Sequence, residues 1–257
     1  MKITVKIISM LLLLFLFTTI FPNAEGGEGW YLVKRKHLCP GFPKCANELD
    51  CHGCYYLDKS ANENGEKVLY LTFDAGYENG NVEKILDIMR DEEVCGAFFI
   101  LSNIVNKNPE LIRRMHDEGH TICNHTKNHK NLTKLNSEEI AENLHALETI
   151  CEERVGVCMS PYFRFPEGTY SIDAVKAVEN LGYKTFFWSI AYADWDNTNQ
   201  PSRESAMKSL LDQTHPGAVI LLHPTSETNS IILRDMIREW KALGYRFATL
   251  DELVAKN

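Results

Sequence analysis

The chain has 257 residues, of which 44% are hydrophobic, and it carries a formal net charge of −8. This length and composition allow one sizeable hydrophobic core. The acidic balance and the lack of a lysine- or arginine-rich block argue against a nucleic-acid-binding surface and against electrostatic docking to an anionic membrane.

Residues 1–25 have the pattern of a signal peptide. Lys2 and Lys6 precede an apolar run over residues 7–21, and the small residues Ala24 and Gly26 follow it. We therefore expect export out of the cytoplasm, cleavage, and no stable membrane span in the mature protein. An uncleaved membrane anchor is the alternative, because the apolar run is only slightly short for a span.

Residues 26–65 are predicted to form a cysteine-rich N-terminal extension. Four cysteines fall within 16 residues, namely Cys39, Cys45, Cys51 and Cys54. In an exported chain disulfides are expected among them, and a structural zinc site is the alternative. Cys151 and Cys158 are candidates for a second bridge, whereas Cys95 and Cys123 lie in apolar runs and are expected in the core.

Residues 66–257 are predicted to form the main domain, in which β-rich runs alternate with amphipathic helical segments. The predicted strands are 67–73, 94–101, 120–124, 162–165, 184–190, 217–223 and 245–250. The predicted helices are 81–93, 108–119, 136–153, 171–182, 201–214 and 228–244. This alternation predicts a parallel sheet with crossover helices, either open or closed into a barrel. Nucleotide binding has little support, since no glycine-rich phosphate loop follows the first strand.

Titratable side chains recur just after the predicted strands. Asp74 follows the first strand in "TFDAGYENG", Arg164 lies in "RFPEG", Asp194 in "ADW", and His223 in "LLH". In a barrel these positions lie together at the carboxyl end of the strands, where catalytic residues collect. Each residue alone has a structural interpretation, such as a helix cap for Asp74, so the recurrence is what favours a site.

His125 and His129 in "HTKNH" are four residues apart. This spacing predicts two imidazoles one helical turn apart, able to bind one Zn²⁺ or a similar transition metal. An exposed helix face with two unrelated histidines is the alternative.

These five motifs resemble, in order and spacing, the NodB-homology polysaccharide deacetylases of carbohydrate esterase family 4. The resemblance covers roughly residues 66–254. It implies a single distorted (β/α) barrel of about seven parallel strands with an N-terminal extension. It also implies metal-assisted hydrolysis of N-acetyl groups on amino sugars.

The resemblance assigns roles to residues that match the family motifs. A general base, its partner arginine, a general acid and an orienting carboxylate are implied at Asp74, Arg164, His223 and Asp194. The implied ligands of a divalent metal, expected to be Zn²⁺, are His125 and His129. Substrate contacts are implied at Trp195, Leu222, Glu167 and Tyr170, with a backbone N–H near Glu167 assisting the oxyanion.

Two positions depart from the family pattern. Ala75 stands where most members have a second Asp that binds the metal, so weaker metal binding is expected. Phe165 replaces one Pro of the usual "RPPxG" motif and is expected to reshape the groove wall.

Within the family the chain looks most like the delta-lactam-biosynthetic de-N-acetylases. This resemblance implies action on N-acetylmuramic acid in peptidoglycan glycan strands, on the way to muramic-δ-lactam of spore cortex, in the cell wall or the space around the forespore. The alternatives are N-acetylglucosamine, chitin oligomers, O-acetyl esters, or a catalytically silent glycan-binding protein, which Ala75 favours.

Overall fold

The computed structural model describes residues 27–256, so the predicted signal peptide lies outside the described residues. The strands are β1 (Glu28–Gly29), β2 (Cys54–Tyr55), β3 (Val68–Ala75), β4 (Ala97–Ile100), β5 (Thr121–Asn124), β6 (Tyr162–Phe163), β7 (Thr169–Tyr170), β8 (Lys184–Phe186), β9 (Ala218–Leu222) and β10 (Arg246–Phe247).

The helices lie between these strands and after the last one. They are α1 (Ala46–Leu49), α2 (Lys59–Asn64), α3 (Val82–Asp91), α4 (Ser102–Lys107), α5 (Pro109–Asp117), α6 (Ser137–Val155), α7 (Ile172–Asn180), α8 (Arg203–Gln213), α9 (Glu227–Ala242) and α10 (Leu250–Lys256). The predicted start of α6 is confirmed, because Asn136 and Glu139 form a reciprocal capping box there. In residues 27–256, no helix has both the length and the apolar character that crossing a membrane requires.

The main sheet is parallel and curls into a distorted barrel, as predicted. Its strand order is β10-β3-β4-β5-β6-β8-β2, and β9 also pairs with β3. Backbone bonds link β9 to the chain after β8: Leu221 N–H donates to the Ile190 carbonyl, and Ser189 N–H donates to the Val219 carbonyl, both at 2.9 Å. The seven strands predicted from the sequence correspond to β3, β4, β5, β6, β8, β9 and β10.

Strand β3 is buried along both faces, which explains its continuous apolar sequence. Leu69, Leu71 and Phe73 belong to the cluster beneath α3 and α9, and Val68 and Tyr70 belong to a separate inner cluster. This alternation has period two and places the residue after Phe73, Asp74, on the inner face. The fold therefore directs Asp74 toward the open end of the barrel.

Some predicted strands end early. Strand β6 ends at Phe163 instead of residue 165, and the chain turns at Pro166–Gly168, where Glu167 has a φ of 57°. Proline removes a backbone donor and so cannot continue the ladder. The "RFPEG" motif therefore forms a turn at the barrel mouth, with Arg164 at the end of the strand.

The N-terminal extension is joined to the barrel by strand pairing and aromatic packing. Strand β2 pairs with β8, and β1 pairs antiparallel with β7. Trp30 is fully buried, stacks on Phe187 with ring centres 4.6 Å apart, and donates its indole N–H to the Trp188 carbonyl at 2.9 Å. These contacts are of the kind that anchor a short segment without cross-links.

All eight cysteines are free thiols, so the structure contains none of the predicted disulfides. Cys123 is buried, as predicted, but Cys95 is exposed. The prediction for Cys95 is wrong because this residue precedes β4 and lies outside the strand that its apolar neighbours form.

Candidate active site

The Asp74 carboxylate is paired with a fully buried guanidinium. Arg164 Nη1 donates to Asp74 Oδ1 at 2.7 Å, and Arg164 is 0% exposed. The same group donates to Thr72 Oγ1 at 2.8 Å and to the Phe186 carbonyl at 3.1 Å, and it lies 4.1 Å from the Phe99 ring centre. These partners hold the guanidinium in one orientation, so the structure brings together the predicted base and its arginine.

The pKa of the Asp74 carboxyl lies below its usual value. Burial raises this pKa, but the neighbouring His125, Arg164 and His223 and the hydrogen bond from Arg164 lower it by more. The carboxylate is therefore ionised at neutral pH, which is the state that a general base requires.

Of the two predicted metal-binding histidines, His125 lies beside Asp74 and His129 lies next to His125. His125 Nδ1 lies 2.9 Å from the Arg164 carbonyl oxygen, and because a carbonyl only accepts, Nδ1 carries the proton. The other nitrogen, Nε2, lies 3.4 Å from Asp74 Oδ2. The ring centres of His125 and His129 are 5.1 Å apart. Burial lowers the pKa of His125 to about 4, so its imidazole is neutral at pH 7, the form that binds metals.

The helical interpretation of the "HTKNH" motif is wrong. Residues 125–130 form an irregular loop after β5, with Thr126 and His129 at φ values of 75° and 58°. Asn124 Oδ1 accepts from the Thr126 N–H, and Thr126 Oγ1 accepts from the His129 N–H, each at 2.9 Å. These local bonds fold the loop back, so the histidines converge through a turn rather than through a helical repeat.

The donors present fit a weakly held divalent ion. His125 has its proton on Nδ1, so its Nε2 is an unprotonated imidazole nitrogen, a donor that would suit a divalent transition ion. Ala75 adds no ligand, because it is 0% exposed and packs in the apolar cluster between the sheet and the helices. Across the described part of the chain, no group of three or more His, Cys, Asp or Glu side chains is arranged to hold a metal ion.

His223 and Asp194 form a second pair at the barrel mouth. His223 Nδ1 lies 2.8 Å from Asp194 Oδ1, and the His223 backbone N–H donates to Asp194 Oδ2 at 2.7 Å. Burial lowers the pKa of the His223 imidazole, but the Asp194 charge and hydrogen bond raise it by more. The ring therefore holds its proton more tightly than a free histidine does, and Nε2 remains available to deliver it.

Only two of the four predicted substrate contacts lie at the surface. Trp195 is 54% exposed, and Glu167 is exposed in its turn. Tyr170 and Leu222 are each 1% exposed; the Tyr170 hydroxyl lies 2.7 Å from Cys45 Sγ, and Leu222 packs between the sheet and the helices. Contrary to expectation, the structure does not bring these two side chains to the groove surface.

The expectation for Phe165 also needs correction. Phe165 is 0% exposed and packs edge-on against Phe163 with ring centres 4.8 Å apart. It belongs to the cluster that includes Trp30 of the extension. Phe165 therefore supports the turn from beneath and does not form the groove wall.

The structure also identifies polar partners that sequence reasoning missed. Asn229, in the first turn of α9, is fully buried and donates to Asp194 Oδ2 at 2.6 Å. Tyr77 is 43% exposed, and its hydroxyl lies 2.5 Å from Asn197 Nδ2, which joins the loops after β3 and β8. No sequence signal marks these residues, because Asn and Tyr are common in helix starts and loops.

Comparison with known proteins identifies the family. The polysaccharide deacetylase model matches residues 61–186. The peptidoglycan-N-acetylmuramic acid deacetylase PdaA of Bacillus subtilis (strain 168) is 38% identical over 219 residues, which cover 85% of this chain and 82% of that protein. A peptidoglycan-N-acetylglucosamine deacetylase of Bacillus cereus is 32% identical over 197 residues, which cover 74% of this chain and 90% of that protein.

A solved structure shows the same relationship in three dimensions. The structure of Bacillus subtilis PdaA, described as a family 4 carbohydrate esterase, matches with a TM-score of 0.84 and 36% identity, covering 90% of this chain and 97% of that chain. The chain therefore belongs to the polysaccharide deacetylase family.

Proposed function

We propose that the protein hydrolyses the N-acetyl group of N-acetylmuramic acid in peptidoglycan, on the way to muramic-δ-lactam of spore cortex. The observation that carries this proposal is that one barrel mouth holds an ionised carboxylate and an imidazole whose pKa a second carboxylate raises. Arg164 holds Asp74, and Asp194 holds His223. The similarity to a relative named for N-acetylmuramic acid supports this choice of sugar.

Asp74 accepts a proton from the water that attacks the acetamide carbonyl carbon. The Arg164 guanidinium, which donates to Asp74 Oδ1, keeps the carboxylate ionised before the step. Because Arg164 is itself fixed by Thr72 and the Phe186 carbonyl, the carboxylate has little freedom to swing away. The base is therefore positioned before substrate binds, which limits reorganisation during the reaction.

His223 protonates the leaving nitrogen. As the carbon–nitrogen bond breaks, its electron pair passes to nitrogen, which takes a proton from His223 Nε2 and leaves as the free amine. The other product is acetate. Asp194 holds the ring through Nδ1, stabilises its charged form, and accepts the backbone N–H of the same residue.

We propose that a divalent ion, Zn²⁺ or a similar one, is held by His125 and His129. When bound, such an ion supplies Lewis acidity to the acetamide carbonyl and lowers the pKa of a coordinated water. His125 is prepared for this role by its bond to the Arg164 carbonyl, which fixes the tautomer with Nε2 unprotonated.

The exposed groove offers surface for a sugar ring. Trp195 presents an exposed aromatic face beside Asp194, and such faces pack well against the apolar side of sugars. A backbone N–H near Glu167 is proposed to support the oxyanion. The peptidoglycan substrate lies outside the cytoplasm, in agreement with the signal-peptide pattern of residues 1–25.

The proposal is tested by mass spectrometry of muropeptides and by acetate release. We expect loss of one acetyl group from each N-acetylmuramic acid residue that the protein acts on. Asp74→Asn preserves shape but removes the base, so turnover should fall by about 10²- to 10⁴-fold while glycan binding survives.

Each alternative predicts a different result in this assay. Acetate released only from N-acetylglucosamine or chitin oligomers, or only from O-acetyl esters, would identify another substrate. Glycan binding without acetate from any substrate would identify a silent binding protein, the possibility that Ala75 favours. Either result would refute the proposed reaction on N-acetylmuramic acid.

A further inference from the structure

The amide of Asn229 lies directly behind the His223–Asp194 pair. Asn229 is 0% exposed, and its Nδ2 group donates to Asp194 Oδ2 at 2.6 Å and to the His223 carbonyl oxygen at 3.0 Å. One side chain therefore holds both members of the pair. Because Asp194 is itself 1% exposed, water does not compete freely for these bonds.

A tyrosine hydroxyl determines which way this amide points. The Tyr192 hydroxyl bonds to Asn229 Oδ1, and because Oδ1 has no hydrogen, the hydroxyl is the donor. If the amide turned over, Oδ1 would face the Asp194 carboxylate and the His223 carbonyl, which are both acceptors. The observed orientation is therefore the one in which every group of the amide has a suitable partner.

Helix capping does not account for the Asn229 side chain. Ser226 caps α9, and its Oγ accepts from the Asn229 backbone N–H at 3.1 Å. Since this bond uses only the backbone, other residues at position 229 would keep it. If packing were the only requirement at this fully buried position, an apolar side chain would satisfy it, because burying an amide costs free energy unless the amide is hydrogen-bonded. The bonds to Asp194 and His223 are what account for the amide.

We propose that Asn229, oriented by Tyr192, is a positioning residue for proton delivery by His223. The inference rests on the proposed function, in which His223 protonates the leaving amine. Asn229 holds Asp194 Oδ2, which leaves Oδ1 facing His223 Nδ1 and directs Nε2 toward the groove. Asn229 is buried and acts through Asp194.

Two substitutions test this role with a matched control. Tyr192→Phe removes only the hydroxyl that orients the amide, and Asn229→Ala removes the amide itself. We expect kcat to fall roughly 3- to 10-fold in the first variant and about 10²-fold in the second, with KM little changed. The control, Tyr70→Phe, removes a buried hydroxyl that donates to Asp58 Oδ2 at 2.7 Å, near the other end of β3. It should leave kcat unchanged even if thermal stability falls.

The pH profile separates positioning from a general loss of stability. The charged groups facing His223 are Asp194, Asp74 and Arg164, and of these only Asp194 is held by Asn229. When Asp194 is no longer aligned, His223 loses the main influence that raises its pKa. The basic limb of kcat/KM should therefore move to lower pH in Tyr192→Phe and stay in place in Tyr70→Phe. A reduced kcat with an unmoved limb would overturn the inference.

A spectroscopic measurement makes the inference independent of activity. A proton on His223 Nδ1 that is bonded to a carboxylate gives a downfield NMR signal, which the His223→Gln variant assigns by its loss. We expect this signal in the wild-type protein and in Tyr70→Phe, and its loss in Tyr192→Phe. If the wild-type protein releases no acetate but shows this pattern, the proposed function fails, and only the structural part of the inference stands: Asn229 and Tyr192 hold the His223–Asp194 pair.

The opposite pattern overturns the positioning role alone. In that outcome the wild-type protein releases acetate, and its Tyr192→Phe variant retains both the NMR signal and the full kcat. If Asn229→Ala does not fold, Tyr192→Phe decides by itself, because it removes one oxygen atom and leaves the packing intact.

Discussion

Replacing Arg164 with methionine tests whether a buried ion pair holds the Asp74 carboxylate. Arg164 is 0% exposed and the Asp74 side chain is 10% exposed, so Arg164→Met leaves a nearly buried carboxylate without its main cation. Methionine is flexible and fills irregular space, so the cavity contribution should be small. The loss of unfolding free energy then comes chiefly from the Asp74 carboxylate, which stays buried without its ion-pair partner.

The expected loss of unfolding free energy is about 3 kcal/mol. Removing one member of a buried ion pair costs about 3–5 kcal/mol, and the lower value applies because Asp74 keeps some contact with water. Adding Asp74→Asn to the same chain removes the unpaired charge. The double variant should therefore recover about 2 kcal/mol relative to Arg164→Met. The coupling energy of the double-mutant cycle is this recovery plus the loss measured for Asp74→Asn alone.

The loss should also depend on pH. In the wild-type protein the Asp74 pKa is lowered, so its contribution to stability is present above the unfolded-state pKa and is lost as pH falls through the folded-state value. Without Arg164, the effect of burial is offset less, so the folded-state pKa of Asp74 rises from its wild-type value. The deficit of Arg164→Met should then be largest at neutral pH and shrink toward about pH 4 as Asp74 takes up a proton.

Urea unfolding followed by tryptophan fluorescence measures these values. The wild-type protein, both single variants and the double variant are compared with a chelator present, so that metal binding does not contribute. An Arg164→Met deficit that is constant with pH would refute this reasoning, as would a double variant in which the two single losses simply add.

Three further results are expected. Trp195→Ala should raise KM about tenfold with little change in stability, because the ring is 54% exposed; unchanged KM in acetate-release kinetics would remove Trp195 from the groove. Mild chelation should abolish acetate release and added divalent metal should restore it, because the proposed metal site has only two protein ligands, His125 and His129; activity that survives exhaustive dialysis against chelator would contradict this. Alkylation without reductant should label the exposed thiols of Cys51, Cys95 and Cys158, and protection of Cys51 or Cys158 until reductant is added would show that the predicted bridges form.

The general location of the site was predictable from the sequence. Asp74 and His223 each come directly after an apolar run, and the carboxyl ends of parallel strands meet at one edge of a sheet. The structure accordingly pairs Asp74 with Arg164, 90 positions along the chain, and Asp194 with His223, 29 positions apart. Hydrophobic periodicity shows where each strand lies and ends, because the side chains of a strand alternate between its two faces with a repeat of two residues.

Local polar segments were less predictable. The four-residue spacing of His125 and His129 suits a helix, but the chain adopts a turn because Asn124 and Thr126 offer the backbone alternative hydrogen bonds. The centres of the two rings still lie 5.1 Å apart, and a shared metal position stays a prediction. Spacing alone does not distinguish these two backbone conformations.

The sequence by itself determined which polar side chains follow successive strands along the chain. They are a carboxylate, two imidazoles, an arginine, a second carboxylate and a last imidazole. Only the tertiary structure decided that Tyr170 and Leu222 are covered, and that Asn229 reaches Asp194, 35 positions away. Burial and such contacts depend on how loops and helices from separate parts of the chain pack together. A local periodic pattern contains no information about that packing, because it records which face a residue takes and not what covers it.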